Sequence, residues 1–164
     1  MPRCYSVTDI ARALDEHSPA ILQFIGHGSS KGLCFENVVG RAQMVDKMPL
    51  AKLLHNQKGL KLVILNACYS HDQAQSLADS VGHVIGREGP IQDIDAINFS
   101  TDFFTALRHG RTFEESFGRA KAAVQLQTTA LSPHFLKARS EKEIAHQSQD
   151  QISQSNLPGD DGYP

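Results

Sequence analysis

Cysteine is scarce in this chain. Of 164 residues only Cys4, Cys34 and Cys68 carry a thiol, too few and too odd in number for a disulfide framework, and no CxxC pair suggests a zinc site or a redox motif. Each is therefore read as a small buried hydrophobe or a reactive thiol. An excess of charge is also lacking: 16 basic against 18 acidic side chains leave a formal net charge of −2. This is not the basic footprint of a nucleic-acid binder, and no like-charge run marks an interaction tail. No apolar stretch approaches the ~20 residues that span a bilayer. Arg3, Asp9, Arg12 and Asp15 interrupt the N-terminal segment where a signal peptide would need its apolar run. The expectation is a cytoplasmic protein without nucleic-acid or membrane partners. GxGxxG, P-loop and GxSxG signatures are absent too, which speaks against a nucleotide site or a serine-type α/β-hydrolase. No cofactor or metal is expected.

What remains is ordinary globular material, 40% hydrophobic and 21% charged, enough for one domain with a core. Residues 7–17 (VTDIARALDEH) place Val7, Ile10, Ala11 and Leu14 at helical spacing. After Ser18-Pro19 comes the apolar run AILQFI, residues 20–25, read as a buried strand ending in Gly26-His27-Gly28. Residues 32–36 predict a short strand and Asn37 to Gly40 a turn. Residues 46–57 predict a helix, with Pro49 tolerable in its first turn. LKLVILNA, residues 60–67, is the continuous aliphatic run of a central parallel strand covered on both faces, and it ends in Cys68. Residues 71–81 suit a helix closed by Gly82, residues 83–86 a short strand, and residues 87–92 a loop. Two helices follow at about 93–109 and 112–127, with Gly110 as C-cap between them. From residue 128 the chain turns polar, and 128–164 reads as a mostly disordered tail.

Alternation of strand and helix predicts an α/β fold with a mainly parallel sheet. In such sheets functional groups gather beyond the carboxyl ends of the strands. His27 follows one strand and Cys68 another. Parallel neighbours lie about 4.8 Å apart, so adjacent strand ends bring an imidazole near a thiol whose unperturbed pKa is about 8.5. Gly28, free to adopt unusual backbone angles, could turn its amide with that of Cys68 toward an oxyanion. Taken singly, His27 is also an ordinary turn residue and Cys68 an ordinary core residue; their joint placement favours a dyad. Cys34 and Cys4 read as structural, and His17, His55, His109 and His134 are unassigned.

ILQFIGHGSSKGLCFE resembles the histidine motif, and LVILNACYS the cysteine motif, of the CHAT group in the caspase-like clan of cysteine peptidases. The segment VGHVIGREGPIQDIDAINFSTDFFTALRHGRTFEESFGRAK is similar to the downstream half of that domain. The resemblance covers about residues 7–127 and implies a caspase-like three-layer α/β/α fold in domain 1–127. It implies His27 as general base, Cys68 as nucleophile and Gly28 as an oxyanion position, in a cysteine endopeptidase acting on a protein substrate, with bacterial signalling or defence as its setting. Family members usually carry a strand and a helix before the histidine strand. Only about 20 residues precede it here, so an N-terminally truncated or divergent member lacking the first strand or strands is expected. An open sheet edge then invites pairing, and a homodimer or a regulatory partner protein is expected beside the substrate. In related members the position two before the cysteine lines the pocket for the residue preceding the scissile bond, and Asp there favours Lys or Arg. Here it is the neutral Asn66, leaving Asp93 or Asp95 to supply negative charge; the competing role for both is helix capping. The alternative to an enzyme is a catalytically inactive interaction module on the same fold.

Overall fold

The computed structural model describes residues 7–37, 39–55, 57–126 and 134–137. Helix α1 (Val7–His17) leads into β1 (Ile21–Ile25). A small arm follows, made of β2 (Gly28–Ser29), β3 (Gly32–Glu36) and β4 (Ala42–Val45). Then come α2 (Lys47–His55), β5 (Leu62–Asn66), α3 (His71–Ala78), β6 (His83–Gly86), α4 (Asp93–Arg108), α5 (Phe113–Gln125) and β7 (His134–Lys137). The expected helices and strands fall within a few residues of these bounds.

The main sheet has the order β1-β5-β6-β7. β1 and β6 both run parallel to β5, while β7 is antiparallel to β6. The aliphatic run of β5 occupies the middle, and all five of its residues are buried. Its alternation serves two cores. Val63 and Leu65 join Leu14, Leu54, Leu77 and Val84 on one face, under α1, α2 and α3. Leu62 and Ile64 join Phe99, Phe103, Ala120 and Val124 on the other, under α4 and α5. The result is the three-layer α/β/α sandwich that the resemblance implies, around the mainly parallel sheet expected from the pattern. Each fully buried aliphatic or aromatic side chain stabilises it by about 1.5–3 kcal/mol.

Local signals account for the helix ends. Thr112 and Glu115 form a reciprocal capping box at the start of α5, which satisfies two otherwise orphaned amides. Gly110, at φ 79°, makes the left-handed turn between α4 and α5 that a Cβ would strain.

Besides the two-residue β2, two features depart from the expectation. β4 was not foreseen: its four residues are mostly exposed, and RAQMV lacks the alternation that betrays a half-buried strand. It pairs with β3, which pairs with β2, in a separate antiparallel sheet. The second is β7, which falls inside the segment read as a polar tail and extends the sheet beyond β6 through pairs such as Val84 with Leu136. Four residues between polar flanks give too short a pattern to stand out. The rest of the expected tail, 128–133 and 138–164, lies outside the described residues, as does Cys4.

Candidate functional site

β1 and β5 are direct neighbours in register, Ile25 opposite Asn66, and the Gly26 amide donates to the Asn66 carbonyl at 3.3 Å. His27 therefore leaves the end of β1 alongside Ala67 and Cys68 leaving β5. Contact between the two ends is tight. A Cβ placed on Gly28 would lie 2.5 Å from the Cys68 carbonyl oxygen and 3.0 Å from the Ala67 Cβ. Only glycine lets the backbone after His27 approach the nucleophile segment so closely.

The arm fixes Gly28. The Cys34 amide donates to the His27 carbonyl at 2.8 Å, and Gly28 is paired with Leu33. Antiparallel ladders alternate hydrogen-bonded and non-bonded pairs. With His27 and Cys34 bonded, the N–H of Gly28 points away from β3 and is left for another acceptor.

On the other side, the 87–92 loop wraps the Cys68 turn. The Tyr69 amide donates to Gly89 O at 3.2 Å, the His71 amide to Arg87 O at 2.8 Å, and the Arg87 amide to Ser70 Oγ at 3.2 Å. These bonds hold Tyr69 at φ 53°, a left-handed conformation that costs a non-glycine residue on the order of 1–2 kcal/mol. The strain turns the chain sharply just after Cys68. The sulfur itself receives the Ile91 amide at 3.4 Å and is half-buried. His27 is exposed, and no hydrogen bond joins its ring to the Cys68 sulfur among the described residues.

Two buried charged side chains stand out that composition alone does not reveal. Arg87 is only 3% exposed and Asp95 only 5%. Burial pulls the Arg87 pKa below its usual value, and the charges of Asp95 and Cys68 partly restore it. The charge of Arg87 is thus within electrostatic reach of Cys68. Asp95 Oδ2 is buried and has no hydrogen-bond partner. The sequence signal was the Arg directly after the β6 strand, at a strand carboxyl end like His27 and Cys68.

Asn66, Asp93 and Asp95 occupy three different settings. Asn66, 6% exposed, turns its amide into α4, donating to Ser100 Oγ at 2.7 Å and toward Ala96 O at 3.4 Å. Asp95 is buried beside Arg87, and Asp93 is exposed at the first turn of α4. Neither aspartate is the helix cap, which is Gln92 without a side-chain bond; both still complement the positive end of the helix. Cys34 is half-buried, with its sulfur 3.9 Å from Phe35 O, and lines a cavity of about 1010 Å³ bounded also by His27, Leu22 and Phe24. No helix among the described residues is long and apolar enough to cross a membrane.

No curated protein matches the chain. Residues 3–150 match the CHAT domain, whose fold is caspase-like and related to the cysteine peptidases, in keeping with the parallel β1-β5-β6 arrangement. The chain belongs to the CHAT domain family.

Proposed function

We propose that this chain is a cysteine endopeptidase with Cys68 as nucleophile and His27 as general base. The observation that carries the reading is the register of β1 on β5, which sets the two strand ends side by side with Gly28 packed on the Cys68 carbonyl. The His27 imidazole takes the thiol proton and the sulfur attacks the scissile carbonyl. The oxyanion is received by the Gly28 and Cys68 amides. His27 then returns the proton to the leaving amine, and water hydrolyses the acyl-enzyme. The exposed His27 ring reaches the sulfur by rotating about its own side-chain bonds, since catalytic hydrogen bonds often close only with substrate bound. Arg87 supports the thiolate from below. With the charge of Asp95 met by Arg87, a preference for a basic residue before the scissile bond falls to the exposed Asp93, while Asn66 shapes the pocket from within. The setting we propose is cytoplasmic, in a bacterial signalling or defence system.

A second reading is an inactive interaction module on the same fold. It is favoured by the Ile91 amide, rather than an imidazole, being the hydrogen-bond donor on the Cys68 sulfur. The two separate in one assay. The purified chain and its Cys68→Ala and His27→Ala variants are incubated with a peptide library spanning all residues before the scissile bond. Cleavage by the parent alone supports the enzyme; equal silence from all three supports the module.

A further inference from the structure

Gln73 is an amide among aliphatic side chains. It lies on α3 with Ala74 and Leu77, is 1% exposed, and ranks with the largest fully buried side chains. One half of it is bonded: Nε2 donates to the Ser29 carbonyl at 3.3 Å, across 44 residues of sequence. The other half is not. Oε1 is buried and has no hydrogen-bond partner among the described residues. The orientation of the amide follows from chemistry, because a carbonyl only accepts and the group facing Ser29 O must therefore be the NH2. A buried acceptor left unpaired is destabilising, and native interiors hold few of them. A Met or Leu at this place would avoid the unpaired oxygen, so the stability of the core does not explain a glutamine here.

Its position does. α3 follows directly from the Cys68 turn and is firmly seated there. Ser70 Oγ donates to Leu65 O at 3.1 Å, the His71 amide donates to Arg87 O, and a Cβ on Gly86 would lie 2.5 Å from the Ala74 Cβ. Ser29 stands at the other end of the bond, directly after Gly28. It belongs to β2, which is two residues long and has β3 as its strand neighbour in the sheet separate from the main one. The arm thus presents Gly28 on a very short strand, and Gln73 joins that strand to the helix that continues from the nucleophile. A group placed on a short loop-borne element is held precisely only when a rigid element supports it.

We propose that Gln73 is a positioning residue of the site. Its amide ties α3 to the backbone after His27 and so holds Gly28 against the Cys68 carbonyl, where the Gly28 N–H serves the oxyanion. Gln73 is buried, touches no substrate and acts through Gly28. Its part in turnover rests on the cysteine peptidase reading; the tie itself does not. An oxyanion donor is felt in the transition state rather than in substrate binding, so displacing it lowers kcat and kcat/KM together.

The test compares the full chain with Gln73→Met, which keeps the length of the side chain and removes both halves of the amide, and with Gln73→Leu as a second apolar variant. Ser29 is half-buried and Ser30 exposed, so water takes over the freed carbonyl, and both variants should melt at or above the parent temperature. Hydrogen exchange read by mass spectrometry should show the backbone around Gly28 and Ser29 exchanging faster, with β5 unchanged. On a cleaved peptide, kcat should fall about tenfold or more at unchanged KM, short of the hundredfold or more that goes with losing an oxyanion donor outright. In a Gly28→Ala background Gln73→Met should add little, because both changes act on one donor. Unchanged exchange at Gly28 and Ser29 overturns the inference. So do kcat losses that simply add to those of Gly28→Ala, and so does a melting temperature that falls in step with kcat or a failure of both variants to fold, since each makes the amide structural. A parent chain that cleaves nothing defeats the peptidase reading instead; faster exchange in the variants then still supports the tie, and unchanged exchange still overturns it.

Discussion

A Cβ on Gly28 would stand 2.5 Å from the carbonyl oxygen of Cys68, so the residue after the histidine and the backbone of the cysteine are in closer contact than any other residue type allows. Gly28→Ala is therefore expected to push the two strand ends apart. The strain costs on the order of 1–3 kcal/mol in stability. Displacing an oxyanion donor lowers kcat by about a hundredfold or more. Thermal melting and peptide cleavage on the same preparation check both; a variant of unchanged stability and activity would show that the contact has no consequence.

Arg87 and Asp95 are both buried, and the charge of Asp95 acts on Arg87, so removing the cation takes an opposite charge away from the Asp95 carboxyl. Arg87→Met should destabilise the fold by about 1–3 kcal/mol, the range for a change that disturbs a buried polar group, and Asp95→Asn added to it should restore part of that loss. Urea titration of the single and double variants measures the coupling. Simple additivity would show that the two charges do not interact.

Glu115 closes the capping box of α5, and its carboxyl is held below the usual range, 4.5, chiefly by the Thr112 backbone hydrogen bond and then by the Thr112 side chain. A carboxyl whose pKa is depressed by folding contributes stability above its unfolded pKa and loses it as the pH falls through the folded value. Glu115→Gln should thus melt lower than the parent near neutral pH, and the gap should close as the pH drops well below 4.5. A gap that is constant with pH contradicts the assignment.

Phe99 is fully buried between Phe103 and Phe117. Phe99→Ala should cost about 3–5 kcal/mol, a large share of the 5–15 kcal/mol typical of a domain. Loss of α4–α5 docking would be read as a lowered denaturation midpoint, and a midpoint within error of the parent would place the second core elsewhere.

Much of this architecture was legible in the chain. The buried run Leu62 to Asn66 announced a central strand because both its faces are covered; Ile21 to Ile25 announced its neighbour by the same apolar run, but it is not the buried strand expected, since its residues are only half-buried and Ile25 is exposed. β4 and β7 escaped because each is four residues long and β4 is largely exposed, so periodicity has nothing to repeat. At the site, the juxtaposition of the His27 and Cys68 strand ends could be read from two strands ending in reactive residues. The Ile91 amide on the Cys68 sulfur and the burial of Arg87 could not, because both depend on how the 87–92 loop folds back over the turn at Tyr69. Asn66 looked like a pocket residue from its place before Cys68; only the packing of α4 shows that Ser100 takes its amide.

The most direct measurement is the rate of Cys68 alkylation by iodoacetamide, resolved by mass spectrometry from Cys4 and Cys34, across pH 5 to 9 in the parent and in His27→Ala. If the two strand ends form a dyad, Cys68 reacts well ahead of the other thiols near neutral pH, and His27→Ala slows it there. A Cys68 that reacts no faster than Cys34, with a pH profile indifferent to His27, would contradict the account.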